Sequence, residues 1–278
     1  MKRIVIYHKG CVDGFASAWV VHQVFGDGAE YVPAQYGSEP PDVTGAHVVI
    51  VDFSYPREKL LAMKEAAASL VVLDHHKTAQ AALEGLDFCT FDMDRSGAGM
   101  AWDYFLRPGQ RAWLVDYVQD RDLWRWRLPR SKEINAYIHT LPFDFSVWDQ
   151  VSQLTVEEAA KLGVGAAAHL DQYVREVAKH ARAVTFLGHD VLMVNAAHVG
   201  ISELVGSLAD QNPGGFAVGW FEREDGKIQY SLRSRGDFDV SAIAKKMGGG
   251  GHKNAAGFDS DCVPWELIEA WGTPEVQS

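Results

Sequence analysis

Short apolar runs alternate with helix-like segments through the first 75 residues of the chain. The clearest runs span residues 3–8, 47–52 and 69–74, and a weaker one spans 30–34. Segments with helical spacing separate these runs, and Pro56 suits the first position of one such helix. Strands that are apolar throughout and joined by helices are typical of a parallel sheet with helices on both faces. The sequence therefore predicts an α/β fold for this half.

Polar residues stand at the ends of the three clearest strands, which finish in His8, Asp52 and Asp74. In open parallel sheets, ligands bind beyond the carboxyl ends of the strands, so these side chains fall where a site is expected. His75 and His76 follow Asp74 directly. Burying one acid and two imidazoles without partners costs several kcal/mol. The usual partner of such a cluster is a divalent metal or a catalytic network.

Two further segments supply candidate ligands. Asp13 lies in the loop after the first strand, and Asp120 and Asp122 lie in the stretch 118–124. Taken alone, His8 is explained as an ordinary strand-end histidine and Asp13 as a helix cap, but four segments at one edge favour a metal site. Carboxylates with imidazoles and no thiolate cage suit Mn²⁺ or a similar ion. A shared aspartate would bridge two ions about 3.5–4 Å apart, which suits in-line phosphoryl displacement.

Composition excludes several classes of protein. The chain has 278 residues and a formal net charge of −11, whereas proteins that grip long duplex DNA need a wide basic face. The cysteines are three and widely spaced (Cys11, Cys89 and Cys262), which argues against a disulfide scaffold or a zinc finger and favours a cytoplasmic location. No stretch approaches the roughly 20 apolar residues of a membrane span, so no membrane association is expected.

The pattern changes in the second half of the chain. Residues 96–186 have mainly helical spacing, and their last part is predicted to be one long helix. Strand-like runs follow at 189–194, 215–221 and 227–232, with a hairpin signal at 224–226 between the last two. We therefore predict a metal-binding domain over 1–154, a helical connector over 155–186 and a smaller mixed-sheet α/β domain over 187–278.

A second candidate site lies in this last domain. Residues 248–251 are four consecutive glycines, and they are followed by His252, Lys253 and Asn254. Glycines let backbone N–H groups approach an anion closely. Between residues 233 and 253 there are five Lys or Arg and two Asp, a local excess of +3 in a chain of net −11. A glycine run alone would be a flexible loop, but beside Arg233 and Arg235 it favours a phosphate-binding loop.

The two motifs together resemble those of one family. Asp74-His75-His76 combined with Gly249-Gly-Gly-His252 is similar to the DHH phosphoesterases that carry a C-terminal DHH-associated domain. The resemblance covers about residues 3–260. It implies a parallel-sheet DHH domain with a di-manganese site and a smaller mixed-sheet domain that binds substrate. The family includes RecJ-type exonucleases, nanoRNA phosphodiesterases, cyclic-dinucleotide phosphodiesterases, type II pyrophosphatases and exopolyphosphatases.

The resemblance assigns roles to individual positions. His8 and Asp13 match the first metal motif, and Asp52 matches the acid that bridges the metals. Asp74, His75 and His76 match the catalytic motif, with His75 also a metal ligand and His76 near the phosphate or the bridging water. Asp120 is taken as the match to the fourth metal motif, with Asp122 as the alternative. Arg233 and His252 match substrate-binding residues, and the glycine loop adds Gly250, Gly251 and Lys253 as phosphate donors.

One position departs from the family pattern. The first motif usually has Asp-x-Asp, and here it is Cys11-Val-Asp13. The first metal would then be bound by Cys11, held more weakly or absent. A thiolate is a soft ligand and would shift preference away from Mn²⁺. The expected cofactor remains Mn²⁺, as two ions, with one ion and Mg²⁺ or another divalent cation left open.

These features predict a metal-dependent hydrolase that acts on phosphodiester bonds. The expected substrates are short oligonucleotides, as for an oligoribonuclease that works as an exonuclease from one end, or related small nucleotides. The alternatives are a cyclic nucleotide phosphodiesterase, a pyrophosphatase or exopolyphosphatase, and a nucleotide-binding sensor without turnover. The polarity of digestion and the oligomeric state, a homodimer included, are left open by the sequence.

Overall fold

A computed structural model describes residues 2–106, 111–212 and 215–271. The chain divides into two compact units, Met1–Ala167 and Ala168–Ser278. Each unit has its own sheet and its own apolar core. Within the described residues, no helix is both long enough and apolar enough to cross a membrane.

The first unit contains a five-stranded sheet in which every described pairing is parallel. The strands are β1 (Arg3–His8), β2 (Glu30–Ala34), β3 (His47–Val51), β4 (Ser69–Asp74) and β5 (Cys89–Phe91). They lie side by side in the order β2-β1-β3-β4-β5. This order makes β1, β3 and β4 neighbours, so the ends of the three clearest predicted strands meet at one edge of the sheet.

Helices cover both faces of this sheet. They are α1 (Val12–Phe25), α2 (Arg57–Ala66), α3 (Lys77–Ala82), α4 (Gly97–Phe105), α5 (Trp113–Asp122), α6 (Ser131–Ile138) and α7 (Phe145–Ser152). Neighbouring residues of one strand enter different cores: Val5 packs with residues of α1 and α4–α7, while Ile4 and Ile6 pack with residues of α2. Because successive side chains of a strand point to opposite faces, each face buries its own cluster.

The second unit is built on a seven-stranded mixed sheet. Its strands are β6 (Arg182–Phe186), β7 (His189–Asn195), β8 (Phe216–Glu222), β9 (Ile228–Ser234), β10 (Gly250–His252), β11 (Ala255–Ser260) and β12 (Ile268–Trp271). The order is β10-β11-β9-β8-β7-β6-β12, with β7 and β8 parallel and the other pairs antiparallel. The helices are α9 (Ile201–Ala209), α10 (Val240–Lys246) and α11 (Pro264–Leu267). The predicted fold class, a parallel-sheet domain and a mixed-sheet domain, is confirmed.

The segment predicted as a connector over 155–186 has two parts. Helix α8 (Val156–Ala178) occupies most of it, and the division between the compact units falls within this helix. The last residues form β6, which pairs with β7 through a tight turn. Leu187 and Gly188 in that turn have φ of 50° and 79°, the two left-handed residues that a two-residue hairpin turn requires. The helix therefore ends earlier than its apolar pattern predicts.

Candidate metal centre

Three strand ends bring polar side chains together in the first unit. His8 is the last residue of β1, Asp74 is the last residue of β4, and Asp52 follows β3 directly. Asp52 has a φ of 54°, a left-handed conformation that turns the chain sharply at the end of the strand. These residues lie at the carboxyl edge of the parallel sheet, where α/β proteins bind ligands.

Asp52 is the central carboxylate of the cluster and is 1% exposed. Its Oδ1 atom lies 3.0 Å from Nε2 of His75, and its Oδ2 atom lies 3.5 Å from Nδ1 of His8. Two more carboxylates approach the same Nε2 atom of His75: Asp122 at 3.5 Å and Asp13 at 3.7 Å. The structure thus gathers residues from α1, the ends of β1, β3 and β4, and the end of α5.

The ligand atoms of the first unit fall into two groups. In one, atoms of His8, Asp52 and His76 all lie within 4.8 Å of one another; in the other, atoms of Asp13, His75 and Asp122 do so. Asp52 also contacts His75 of the second group through its other oxygen. It therefore lies between the two groups, as a residue shared by two neighbouring cations would.

The start of α4 packs tightly against these acids. Backbone N–H groups of Gly97 and Ala98 donate to the Asp13 carboxylate at 2.6 and 3.1 Å. A Cβ atom at Gly97 would collide with Cβ of Asp52. Asp13 is thus held in place by a helix N-terminus, where backbone N–H groups stabilise negative charge. Sequence reasoning missed Gly97, although it follows Ser96, the residue that caps α4.

Asp74 is fully buried and is hydrogen-bonded to the two histidines that follow it. Its Oδ1 atom accepts hydrogen bonds from the backbone N–H groups of His75 and His76 and lies 2.7 Å from Nδ1 of His76. Its Oδ2 atom accepts from the Ser54 hydroxyl at 2.8 Å. A carboxylate hydrogen-bonded to Nδ1 fixes the orientation of the ring, so that Nε2 is the nitrogen that can contact a ligand. Asp74 is therefore placed to hold His76 and is absent from both groups of ligand atoms.

The acids make the centre strongly negative. Burial disfavours a charged His75 ring, but Asp122, Asp52 and Asp13 outweigh it and raise its pKa to about 10. Burial and the charge of Asp52 raise the pKa of Asp13 well above its ordinary value, and burial raises that of Asp122. Burial also opposes the charge on His76, yet Asp74 raises the pKa of this ring. Three carboxyl groups packed around one imidazole favour an added cation.

Several polar atoms of the centre lack hydrogen-bond partners. Nδ1 of His8, Oδ2 of Asp52 and Oδ2 of Asp122 are buried and form no hydrogen bond within the described parts of the chain. Buried polar atoms normally have a partner, since each one left unsatisfied costs about 1–3 kcal/mol. Divalent cations would satisfy these atoms and neutralise the acids. Imidazole nitrogens and carboxylate oxygens therefore fit the expected metal.

Asp120 was the predicted metal ligand from α5, but its carboxylate is hydrogen-bonded to residues 127–131. Its carboxylate accepts hydrogen bonds from the backbone N–H groups of Arg127 and Leu128 and from the Ser131 hydroxyl, at 2.6–3.3 Å. Asp120 belongs to neither group of ligand atoms, whereas Asp122 belongs to the group with Asp13 and His75. Residues two apart on an α-helix point about 200° apart, so only one of the pair can face the sheet edge. The assignment of Asp120 is corrected in favour of Asp122, the alternative.

Cys11 precedes α1 and lies close to the same acids. Burial, followed by the charges of Asp52, Asp122 and Asp13, raises the pKa of its thiol well above the ordinary value. It belongs to neither group of ligand atoms. A thiol in this field keeps its proton at neutral pH unless a cation displaces it.

Of the predicted substrate-binding residues, Arg233 lies on β9 of the second unit, Gly250, Gly251 and His252 form β10, and Lys253 follows β10 directly. Across the sheet, His252 pairs with Ala255, and Ala255 pairs with Arg233. Residues directly opposite each other on neighbouring strands point to the same face, so Arg233 and His252 share one face. Arg233 donates to the Ser202 hydroxyl at 2.7 Å, and the Lys253 ammonium lies 2.8 Å from the Asp237 carboxylate.

The glycine run has a packing role as well. A Cβ atom at Gly249 would collide with the backbone of β11, and one at Gly251 would meet Ala255 and Ala256. Gly251 also has a φ of 134°. Gly250 and Gly251 both lie in β10, so the second half of the run belongs to a short edge strand rather than to the open loop expected from its composition.

The family model of the DHHA1 domain matches residues 191–267, within the second unit. An uncharacterized protein of Acanthamoeba polyphaga mimivirus is 29% identical over 305 residues, covering 99% of this chain and 72% of the viral protein.

Two solved structures have a similar fold. The DHH domain of a protein from a family of ribosomal proteins superposes with a TM-score of 0.56 at 14% identity, over 92% of this chain and 82% of that one. An exopolyphosphatase-related protein from Bacteroides fragilis gives a TM-score of 0.53 at 13% identity, over 96% and 89% of the two chains. At such identities the likeness is one of fold.

Proposed function

We propose that this chain, whose residues 191–267 match the DHHA1 domain, is a DHH-family, metal-dependent phosphoesterase that hydrolyses phosphodiester bonds in short oligonucleotides or related small nucleotides. The observation that carries the proposal is the position of Asp52 between two groups of ligand atoms at neighbouring strand ends. Two cations bridged by one carboxylate can stabilise both the attacking and the leaving oxygen of an in-line displacement.

The proposed ligands follow the two groups of atoms, except that Asp52 is shared by both ions and His76 is assigned to the substrate. His8 and Asp52 would hold one ion, and Asp13, Asp52, His75 and Asp122 would hold the other. When bound, such ions supply Lewis-acid activation of water and of the phosphate oxygens near neutral pH. Mn²⁺ is the proposed ion because Mg²⁺ prefers sites made of oxygen alone, whereas this site includes imidazole nitrogens.

His76 is proposed to act on the substrate rather than on a metal. Asp74 lies on Nδ1 of this ring and raises its pKa above the ordinary value. A histidine that carries its proton near neutral pH can deliver it to the leaving oxygen. With Nδ1 directed at Asp74, the proton would leave from Nε2. Asp74 is then a positioning residue that holds the ring in orientation.

The charge distribution supports a short substrate. The chain has a formal net charge of −11, and the basic residues of the second unit are partly neutralised. Arg235 pairs with Asp210, and Lys253 pairs with Asp237. A protein that tracks along a long strand needs a continuous basic groove. A substrate of few phosphates, bound by Arg233 and His252, needs only the local donors proposed here.

A substrate panel tests the proposal. The full chain, freed of metal by a chelator, is assayed with added Mn²⁺ or Mg²⁺ on a dinucleotide, a pentanucleotide, cyclic mono- and dinucleotides, and pyrophosphate. We expect hydrolysis of the dinucleotide with Mn²⁺ and none with chelator. Lack of turnover of every substrate with either metal would overturn the proposal, and nucleotide binding without turnover would identify a sensor. Phosphate release from pyrophosphate alone would identify an anhydride hydrolase instead.

A further inference from the structure

An exposed tyrosine ring borders the imidazoles of the metal centre. Tyr36 is 55% exposed. Its ring centroid lies 5.7 Å from that of His8 and 6.2 Å from that of His76, with both pairs close to perpendicular. The nearby Phe53 ring, 5.2 Å away, is almost fully buried. More than half of the Tyr36 surface is thus left to solvent beside the residues proposed to handle a phosphate.

The backbone holds Tyr36 in this position. It occupies a tight turn over residues 35–38, in which the backbone N–H of Ser38 donates to the carbonyl of Gln35 at 3.0 Å. Gly37 follows with a φ of 87°, as a type II turn requires at its third residue. The Ser38 hydroxyl and the Lys59 ammonium add hydrogen bonds to backbone carbonyls of the turn at 2.6 and 3.1 Å. The turn therefore fixes the backbone at Tyr36 before any ligand binds, which lowers the entropic cost of binding.

Burial, followed by the charges of Asp74 and Asp52, raises the pKa of the Tyr36 hydroxyl well above its ordinary value, so the polar end of this side chain lies near the acids of the centre. An aromatic ring that is half exposed at such an edge loses the burial that would stabilise it in a core. The surface it offers is an apolar π face next to a cluster suited to phosphate chemistry. Nucleobases stack on such faces regardless of their identity.

We propose that Tyr36 stacks on the base of the nucleotide whose phosphate is bound at the metal centre. The inference rests on the proposed function and narrows it: the substrate is an ester of a nucleoside phosphate, and a base adjoins the reacting phosphorus. An inorganic phosphoanhydride would leave this ring unused. Tyr36 is then a specificity-determining residue that acts on the base, while the metal ligands act on the phosphate.

Two chromogenic esters with the same leaving group test the inference. One is the p-nitrophenyl ester of thymidine 5′-monophosphate, and the other is methyl p-nitrophenyl phosphate, which has no base. We measure kcat/KM of the Mn²⁺-loaded full chain for both and take their ratio. Because loss of one base–aromatic stack weakens binding severalfold to about 100-fold, we expect Tyr36→Ala to lower the ratio roughly tenfold. Tyr36→Phe, which keeps the ring and loses the hydroxyl, should keep the wild-type ratio.

Tyr104→Ala is the matched control. Tyr104 is 54% exposed on α4, and its described ring contact is with Phe105, 4.8 Å away. The ratio of kcat/KM for the two esters should stay at the wild-type value in Tyr104→Ala.

Tyr36→Leu keeps an apolar side chain over the histidines but has no π face. Its ratio should therefore resemble that of Tyr36→Ala.

The outcomes separate this inference from the function on which it rests. If the wild-type chain hydrolyses neither ester, the proposed function fails. If it hydrolyses them and Tyr36→Ala changes both equally or neither, stacking is overturned and the phosphoesterase stands. A ratio that falls in Tyr36→Phe as much as in Tyr36→Ala would assign the effect to the hydroxyl and also reject stacking. Mn²⁺ binding measured by calorimetry on each variant shows that the centre is intact.

Discussion

The two candidate sites hold their charges in opposite ways. In the first unit, buried oxygens of Asp52 and Asp122 have no hydrogen-bond partner within the described residues. In the second unit, Arg235 lies against Asp210 and Lys253 against Asp237, all at or near the surface. Buried acids that outnumber the imidazoles facing them are costly unless something else compensates their charge, whereas surface pairs contribute little in either direction. The first arrangement therefore favours cation binding, and the second is a surface on which a phosphate must compete with existing partners.

The largest effect should come from the shared carboxylate. Asp52→Asn removes a negative charge between both groups of ligand atoms, and asparagine tolerates the left-handed backbone at this position. Loss of one transition-state contact alone costs up to about 1,000-fold in rate, so we expect at least that loss of phosphodiesterase activity. Calorimetry should show weakened binding of Mn²⁺, while circular dichroism stays that of the wild type. Normal metal binding by this variant would remove the basis for a bridged pair.

The next comparison sets Asp122 against Asp120 on the same helix. Asp122→Asn removes a buried charge near Asp13 and Asp52, so stability should hold or rise while activity falls at least about 100-fold. Asp120→Asn breaks hydrogen bonds to the chain around Ser131, which should lower the free energy of unfolding by about 1–3 kcal/mol. Urea denaturation and kcat on the folded fraction distinguish the two. If Asp120→Asn lost activity and Asp122→Asn lost stability instead, Asp120 would be the ligand.

Strand ends could be predicted from the sequence because buried parallel strands are continuous apolar runs. The bounds of β1, β2 and β4 match the predicted runs residue for residue. The pattern of apolar runs therefore predicts His8, Asp52 and Asp74 at one edge of the sheet. The choice between Asp120 and Asp122 could not be made in this way, because it depends on the rotation of α5 about its axis. Nothing in the spacing of two aspartates fixes that rotation.

The second unit was harder to predict for a related reason. The strand β10 is three residues long and consists of two glycines and a histidine, so it has no apolar alternation to detect. Its conformation is set by close packing on β11, which is a tertiary effect. The helix α9 was missed as well, since its nine residues lie between strand-like runs. Short elements defined by their neighbours escape sequence patterns.

A pH effect should follow from the uncompensated acids of the first unit. The pKa of His75 is raised from 6.5 to about 10 in the folded chain without metal. The protonated ring therefore stabilises the folded state fully below pH 6.5, and this contribution is lost as the pH rises toward 10. In chelator, Tm should fall by several degrees across that range. With saturating Mn²⁺ the fall should disappear, because metal binding displaces the proton and strengthens as pH rises.

Two variants identify the group responsible. His75→Gln in chelator should flatten the dependence of Tm on pH. His47→Gln should keep the wild-type slope, because His47 lies away from the acids, with its Nδ1 atom 2.7 Å from the Ser69 hydroxyl. An unchanged slope in His75→Gln would assign the effect to another group.

The smallest effect should come from the paired charges of the second unit. Lys253 is 43% exposed and its partner Asp237 fully so, hence Lys253→Met should change the free energy of unfolding by less than about 0.5 kcal/mol and leave Mn²⁺ affinity unchanged. If Lys253 also contacts a substrate phosphate, KM should rise while Tm and metal affinity stay constant, since the ammonium must leave Asp237 to do so. Asp237→Asn would then lower KM, because it frees the same ammonium. A change in metal affinity in either variant would contradict the contrast between the two sites, for it would make the surface pair part of the metal centre.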